Sequence, residues 1–173
     1  MKNRFPAAVL RFVIPGLLAT AALAPVACKK DTTADNPYDY AMEDDATIQK
    51  YLTDNHITNA QKQASGLYYI PVITNPNGLR ATAGRTVSVN YTGTLLNGTV
   101  FDATSRHSPV APFSFALGAG YVIKGWDEGI ALMKLDEKSI LLIPSRYGYG
   151  SQSKASIPAN SILRFEVELT KIQ

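Results

Sequence analysis

Val87, Val89 and Tyr91 alternate with Ser88, Asn90 and Thr92, and Asn97-Gly98 follows shortly after. A period of two sends successive side chains to opposite faces of a strand, so this run has one face to bury. Asn-Gly between two extended runs is a strong hairpin signal, and here it returns the chain through Thr99-Val100-Phe101. Strands with one wet face joined by tight turns belong to antiparallel sheets, because parallel strands need long crossovers and are apolar on both faces. The same texture recurs elsewhere. Leu67-Tyr68-Tyr69-Ile70 precedes the turn-rich Asn75-Pro76-Asn77-Gly78, and Phe113 alternates with Phe115. Ser139 to Ile143 is a further strand, and Phe165, Val167 and Leu169 alternate with Glu166 and Glu168 along Arg164 to Ile172. Lys124 to Met133 is the one convincing helix of this part, with Trp126, Ile130 and Met133 along one side and Asp127 and Glu128 in its first turn. The expected class is α+β, an antiparallel sheet wrapped on a single helix.

The first residues read as an address rather than as fold. Lys2, Arg4 and Arg11 precede an apolar stretch from Phe12 to Ala27 that Pro15, Gly16 and Pro25 interrupt. A positive head, a short apolar core and small residues at a boundary describe a signal peptide over 1–27. A permanent membrane helix needs ~20 uninterrupted apolar residues. Cys28, the single cysteine of the chain, stands directly after Val26-Ala27. The pattern resembles a bacterial lipoprotein signal, which implies cleavage before Cys28, lipidation of its thiol, and export to a bacterial cell membrane at its periplasmic or outer-membrane face. The alternative is an ordinary signal followed by a free cysteine. Residues 28–65 are expected to form a tether, polar through 29–43, and a short helix from Asp44 to Asp54. Asp44 and Asp45 suit its positive end, and Ile48, Tyr51 and Leu52 share one face.

Charge and composition exclude several function classes. The 17 lysines and arginines outnumber the 14 acids by the three bases of the leader, so the rest of the chain is balanced. A neutral body without a basic run has no electrostatic footprint for nucleic acid. One cysteine allows neither an internal disulfide nor a cysteine zinc cluster, and His56 and His107 have no spaced partners for a metal, so no metal or cofactor is expected. Gly118-Ala119-Gly120 opens a dinucleotide-like pattern, but Ile123 stands where its third glycine is required. Gly120 to Gly125 has phosphate-loop spacing, but Trp126 occupies the lysine position. Asp127-Glu128 are adjacent on a helix and point apart, which suits helix-end electrostatics better than paired acid–base work.

Aromatics near tight turns remain, set within ordered motifs. Val89-Asn90-Tyr91-Thr92-Gly93 is followed by Gly98-Thr99-Val100-Phe101-Asp102, Phe113-Ser114-Phe115 and Leu117-Gly118. Then come Val122-Ile123-Lys124-Gly125-Trp126-Asp127-Glu128-Gly129, Ile143-Pro144, Tyr147-Gly148-Tyr149-Gly150, Ile157-Pro158 and Phe165-Glu166-Val167-Glu168-Leu169. This ordered set resembles the FKBP family of peptidyl-prolyl cis-trans isomerases, most strongly over 84–173, with the domain expected over 66–173.

The resemblance implies a bent antiparallel sheet of five or six strands around a short helix, with a proline pocket between them. It carries Tyr91, Phe101, Asp102, Tyr149 and Phe165 over as catalytic positions. Phe113, Val122, Ile123, Trp126 and Ile157 follow as substrate-binding positions, with Trp126 as the floor. The Tyr149 hydroxyl and the Ile123 amide would donate to ligand carbonyls. Arg106 is the match to the basic residue that often pairs with the pocket aspartate, while Phe115, Tyr147, Tyr68 and Tyr69 read as core. The implied partners are proline-containing unfolded or exported polypeptides, and macrolide-type ligands. The implied reaction is rotation about Xaa-Pro bonds. A chaperone or binding module with the same cleft and weak catalysis is the alternative.

Overall fold

The computed structural model describes residues 37–173. The expected signal peptide and Cys28 lie outside the described residues. Helix α1 (Pro37–Asp54) is the first element of the described residues, followed by β1 (Gln61–Lys62), β2 (Tyr68–Ile73), β3 (Thr86–Leu95), β4 (Val100–Ala103) and β5 (Phe113–Ala116). Helix α2 (Lys124–Ala131), β6 (Lys138–Ile143) and β7 (Leu163–Ile172) complete it. All pairings are antiparallel, in the order β1-β2-β6-β7-β3-β4, and β5 pairs with the first half of β3. The class is α+β as expected. The sheet has seven strands rather than five or six, because two-residue β1 extends its edge and β4 and β5 share the far side of β3.

Period-two patterning decides which side chains meet α2. Along β7, Leu163, Phe165, Val167 and Leu169 are buried while Arg164, Glu166 and Glu168 stay partly exposed. Val87 and Val89 of β3, Leu141 and Ile143 of β6 and Tyr69 of β2 join them beneath Trp126, Ile130 and Met133. Each such aliphatic contributes roughly 1.5–3 kcal/mol when removed from water.

The opposite face of the sheet carries a second core, which explains why Tyr68, Tyr69 and Ile70 are buried without alternation. Tyr69 points to α2. Tyr68 and Ile70, with Leu142 and Ile162, pack on Ile48 and Leu52 of α1. Residues 37–43, expected within the tether, are helical, and α1 packs on the sheet. Proline is favoured in a first helical turn, where its missing N–H costs nothing, so Pro37 opens the helix. Apolar burial, not surface charge, seats α1.

Asp44 lies on the buried stripe with Ile48 and Leu52, only 4% exposed, instead of serving the helix end. Its Oδ2 accepts from the Ser145 amide at 2.8 Å and the Ser145 hydroxyl at 2.7 Å. Asp45, on the rim, pairs with Lys62 at 2.6 Å and accepts from the Tyr68 hydroxyl at 2.8 Å. The two neighbours titrate in opposite senses. Burial pushes the Asp44 carboxyl above its ordinary 3.8, against the pull of Ser145. That contribution to stability is fully present below the unfolded value and is lost as pH rises through the folded one. Asp45 is raised by burial but pulled below 3.8 overall by Lys62 and Tyr68. Its contribution is present above the unfolded value and is lost as pH falls through the folded one. At neutral pH, Asp44→Ala is expected to cost about 1–3 kcal/mol, because two donors on Ser145 lose their acceptor. Asp44→Asn keeps an acceptor without the buried charge and is expected to match or exceed the parent. Urea midpoints at pH 7 check the order.

Candidate functional site

Between the sheet, α2 and the loops that flank them lies an open cleft of about 880 Å³. Its back wall begins with a defect in the ladder. Gly93 pairs with Asp102 and Thr94 with Val100, which leaves Phe101 as the extra residue of a β-bulge. A bulge re-aims side chains, and Phe101 packs edge-on against Phe165, ring centroids 5.4 Å apart. Gly93 makes room for both. A Cβ there would stand 2.6 Å from Phe101 Cε2 and 2.7 Å from Phe165 Cε1.

Trp126, in the first turn of α2, closes the bottom. Its ring sits 5.0 Å from Tyr91 and 5.1 Å from Phe165 in edge-to-face geometry, with Phe113 at 6.1 Å. Such pairs are favoured by the ring quadrupoles and add about 0.5–1.5 kcal/mol beyond area burial. The indole Nε1 is the one buried side-chain polar atom without a partner among the described residues. Ahead of α2, the Gly118 and Gly120 amides donate to the Asp127 carboxylate at 2.8 and 3.2 Å. Asp127 thereby pins the loop that delivers Tyr121, Val122 and Ile123 to the cleft. That hydrogen-bonded turn, and not a phosphate cradle, is what the glycine pattern at 118–120 encodes.

Asp102 is the acidic group of the wall. Oδ2 accepts from the Tyr91 hydroxyl at 2.8 Å, while Oδ1 accepts from the Ala103 amide at 2.8 Å and lies 3.1 Å from His107 Nε2. Burial first, then the Asp102 carboxylate, pushes the Tyr91 hydroxyl far above the ordinary tyrosine range. Burial and Asp102 raise Tyr149 in the same order. Both phenols therefore stay protonated donors at any working pH. The Tyr91 hydrogen is committed to Asp102. The Tyr149 hydroxyl and the Ile123 amide have no hydrogen-bond partner among the described residues, so the cleft holds two donors free for a ligand.

The structure brings all ten expected positions to this one cleft: Tyr91, Phe101, Asp102, Phe113, Val122, Ile123, Trp126, Tyr149, Ile157 and Phe165. Phe115, Tyr68 and Tyr69 are buried core, and Tyr147 packs against it. Arg106 does not meet Asp102. Its guanidinium turns back to the Val100 carbonyl at 3.1 Å, because the turn Thr104–Arg106 points it away, and the next residue, His107, takes the place beside the carboxylate. Sequence reasoning also missed Tyr121, 79% exposed on the rim, and Lys154, whose ammonium lies 5.8 Å over the Tyr149 ring. The position of Tyr121 directly before Val122 was the available signal. Nothing in the polar loop singled out Lys154.

The family model described as FKBP-type peptidyl-prolyl cis-trans isomerase matches residues 78–170. FK506-binding protein 1 of Dictyostelium discoideum is 48% identical over 101 residues, covering 58% of this chain and 92% of the relative. Peptidyl-prolyl cis-trans isomerase Fkbp12 of Drosophila melanogaster is 38% identical over 109 residues, 62% of this chain and 99% of the relative. Among solved structures, FkpA from Escherichia coli superposes with a TM-score of 0.65 at 33% identity, covering 79% of this chain. The chain spans 62% of that structure's chain.

Proposed function

The chain belongs to the FKBP-type peptidyl-prolyl cis-trans isomerase family, and from that premise we propose how its cleft turns a proline bond and where in the cell it does so. It is a peptidyl-prolyl cis-trans isomerase. Rotation about an Xaa-Pro bond breaks amide resonance and must cross ~18–20 kcal/mol. The twisted amide is less dipolar than the planar one, so an aromatic cleft disfavours it less. Differential binding of that kind lowers the barrier without a covalent step, and each ~1.4 kcal/mol gained is a factor of ten in rate.

The observation that carries this reading is the pairing of an apolar aromatic box with two uncommitted donors, the Tyr149 hydroxyl and the Ile123 amide. In our assignment the pyrrolidine ring rests on Trp126 between Tyr91, Phe101 and Phe165, and the flanking carbonyls take the two donors. Asp102 orients the wall through Tyr91. Phe113, Val122 and Ile157 contact the residues around the proline, and macrolide-type ligands occupy the same space. Residues 66–173 carry the site, and 37–65 brace it through α1 and β1.

The expected result is acceleration of cis/trans exchange in a short Phe-Pro peptide, followed by NMR at substoichiometric full-length protein. Tyr149→Phe, which removes one donor, is expected to lower kcat/KM about tenfold, near the ~1.4 kcal/mol of one hydrogen bond. No acceleration by folded protein overturns catalysis and leaves the cleft as a binding module.

We further propose that the protein is an exported lipoprotein acting on exported, proline-containing polypeptides, with residues 1–27 as signal and Cys28 as lipidated anchor. Support comes from Lys2, Arg4 and Arg11 ahead of the apolar run and from the single cysteine at its end. Labelled palmitate should enter the parent chain and not Cys28→Ser in bacterial cells. Equal labelling of both overturns the anchor.

A further inference from the structure

The charges on the cleft wall are answered unequally. Asp102 accepts from the Tyr91 hydroxyl and from the Ala103 amide, each at 2.8 Å, so protein donors already meet its carboxylate. Lys154 is the one lysine or arginine lining the cleft. Among the described residues no carboxylate pairs with its ammonium. The group faces the Tyr149 ring instead, 5.8 Å from the centroid. A ring face attracts a cation through its quadrupole but brings no charge to neutralise it.

The backbone fixes where that cation starts. The Lys154 N–H donates to the Ile157 carbonyl at 2.9 Å and the Ile157 N–H donates to the Lys154 carbonyl at 2.7 Å, which closes a tight turn. Ile157 is buried in the core beneath the cleft and anchors that turn. The base of the loop is closed by the Asn160 amide, which donates to the Gly150 carbonyl at 2.7 Å. Lys154 is itself exposed, so a ligand can reach its ammonium without unpacking the wall.

We infer that Lys154 is a specificity-determining residue of the isomerase site, selecting proline segments that carry an acidic side chain on the side whose carbonyl the Tyr149 hydroxyl takes. The inference rests on the isomerase reading and narrows its substrate class. A carboxylate on that side meets a cation that has no protein anion to give up. An acid on the other side of the proline follows the carbonyl given to the Ile123 amide and gains nothing from Lys154. The pair forms in solvent, which confines the expected preference to about two- to fivefold, and added salt weakens it.

The test reads cis/trans exchange by NMR for three end-blocked peptides, Ala-Phe-Pro-Ala, Glu-Phe-Pro-Ala and Ala-Phe-Pro-Glu, with full-length protein. Each result is a ratio of kcat/KM, acidic over neutral peptide, so a general change of activity in a variant cancels. In the parent, one of the two acidic peptides should exceed the neutral one about two- to fivefold at ~0.05 M salt and lose most of that margin at ~0.5 M. Lys154→Gln should bring the ratio to about one, and Lys154→Glu should take it below one. Lys50→Gln makes the same change in net charge at an exposed position of α1, on the opposite face of the sheet, and should keep the parent ratio. Ratios near one for both acidic peptides in the parent, a preference that Lys154→Gln retains, or an equal loss in Lys50→Gln overturns the assignment. Absence of catalysis with all three peptides overturns the isomerase reading instead. Chemical-shift titration with the same peptides then gives the same ratios as affinities and decides the role of Lys154 by itself.

Discussion

Trp126→Ala is expected to lower kcat/KM by at least about hundredfold and to cost about 3–5 kcal/mol of stability, the range for removing a buried large aromatic. The ring is 5% exposed and touches Tyr91, Phe113, Phe115 and Phe165, so its loss leaves a void that four neighbours cannot fill by rotation alone. Catalysis falls because the same surface is the floor assigned to the proline ring. Trp126→Phe separates the two roles. It removes the unpartnered indole N–H together with part of the volume, and a buried unpaired donor costs about 1–3 kcal/mol. Its stability loss should therefore be clearly smaller than that of the alanine variant, while activity remains reduced. Urea unfolding and peptide exchange on both variants check the pattern. A phenylalanine variant as unstable as the alanine one would show that the indole nitrogen is satisfied in solution.

The second large effect is expected from Gly125→Val. An ordinary helical glycine is a weak point, worth about 1 kcal/mol of gain when replaced by alanine. Here the sign reverses. A Cβ on Gly125 would run into Cγ2 of fully buried Ile143, and one turn on, a Cβ on Gly129 would stand 2.7 Å from Leu141 Cδ1. The two glycines are the seat of α2 on β6. Valine at 125 must lift the start of the helix, at a cost of about 2–3 kcal/mol from overpacking. Helix α2 begins directly after Ile123, so lifting it displaces the Ile123 amide and Trp126 together. A shift of ~1 Å is expected to lower kcat/KM about hundredfold. Thermal unfolding and peptide exchange read both effects. A stabilised, fully active variant would mean that the helix has slack against the sheet.

How much of this was legible beforehand differs by element. Strands β3 and β7 and the helix α2 follow from local pattern, because their apolar residues recur at the period of the element, whereas β6 is legible as a short continuous apolar run whose Leu141 and Ile143 face α2 while Leu142 faces α1. The ten cleft positions were legible for a different reason: they lie at fixed places in ordered motifs. The first turns of α1 were not legible, since residues 37–43 offer no apolar stripe of their own and are carried into helix by the residues that follow. The role of Asp44 was hidden as well. Read locally it is a helix-end acid, and only Ser145, 101 positions later, makes it a buried acceptor.

What the sequence alone determined is the antiparallel sheet, the face it turns to α2, the aromatic box and, through the family motifs, the reaction those residues serve. Alternation and turn chemistry act over a few residues, and the motifs keep their spacing whatever the loops do. Tertiary structure decided the partner of Asp102 and the seat of α1. Whether Arg106 or His107 reaches the carboxylate depends on the path of one turn, in which a single residue of rotation moves a side chain from the cleft to the outside. Whether α1 hangs free or packs depends on an apolar face assembled from Tyr68, Ile70, Leu142 and Ile162, residues that become one surface only when β2, β6 and the approach to β7 lie side by side.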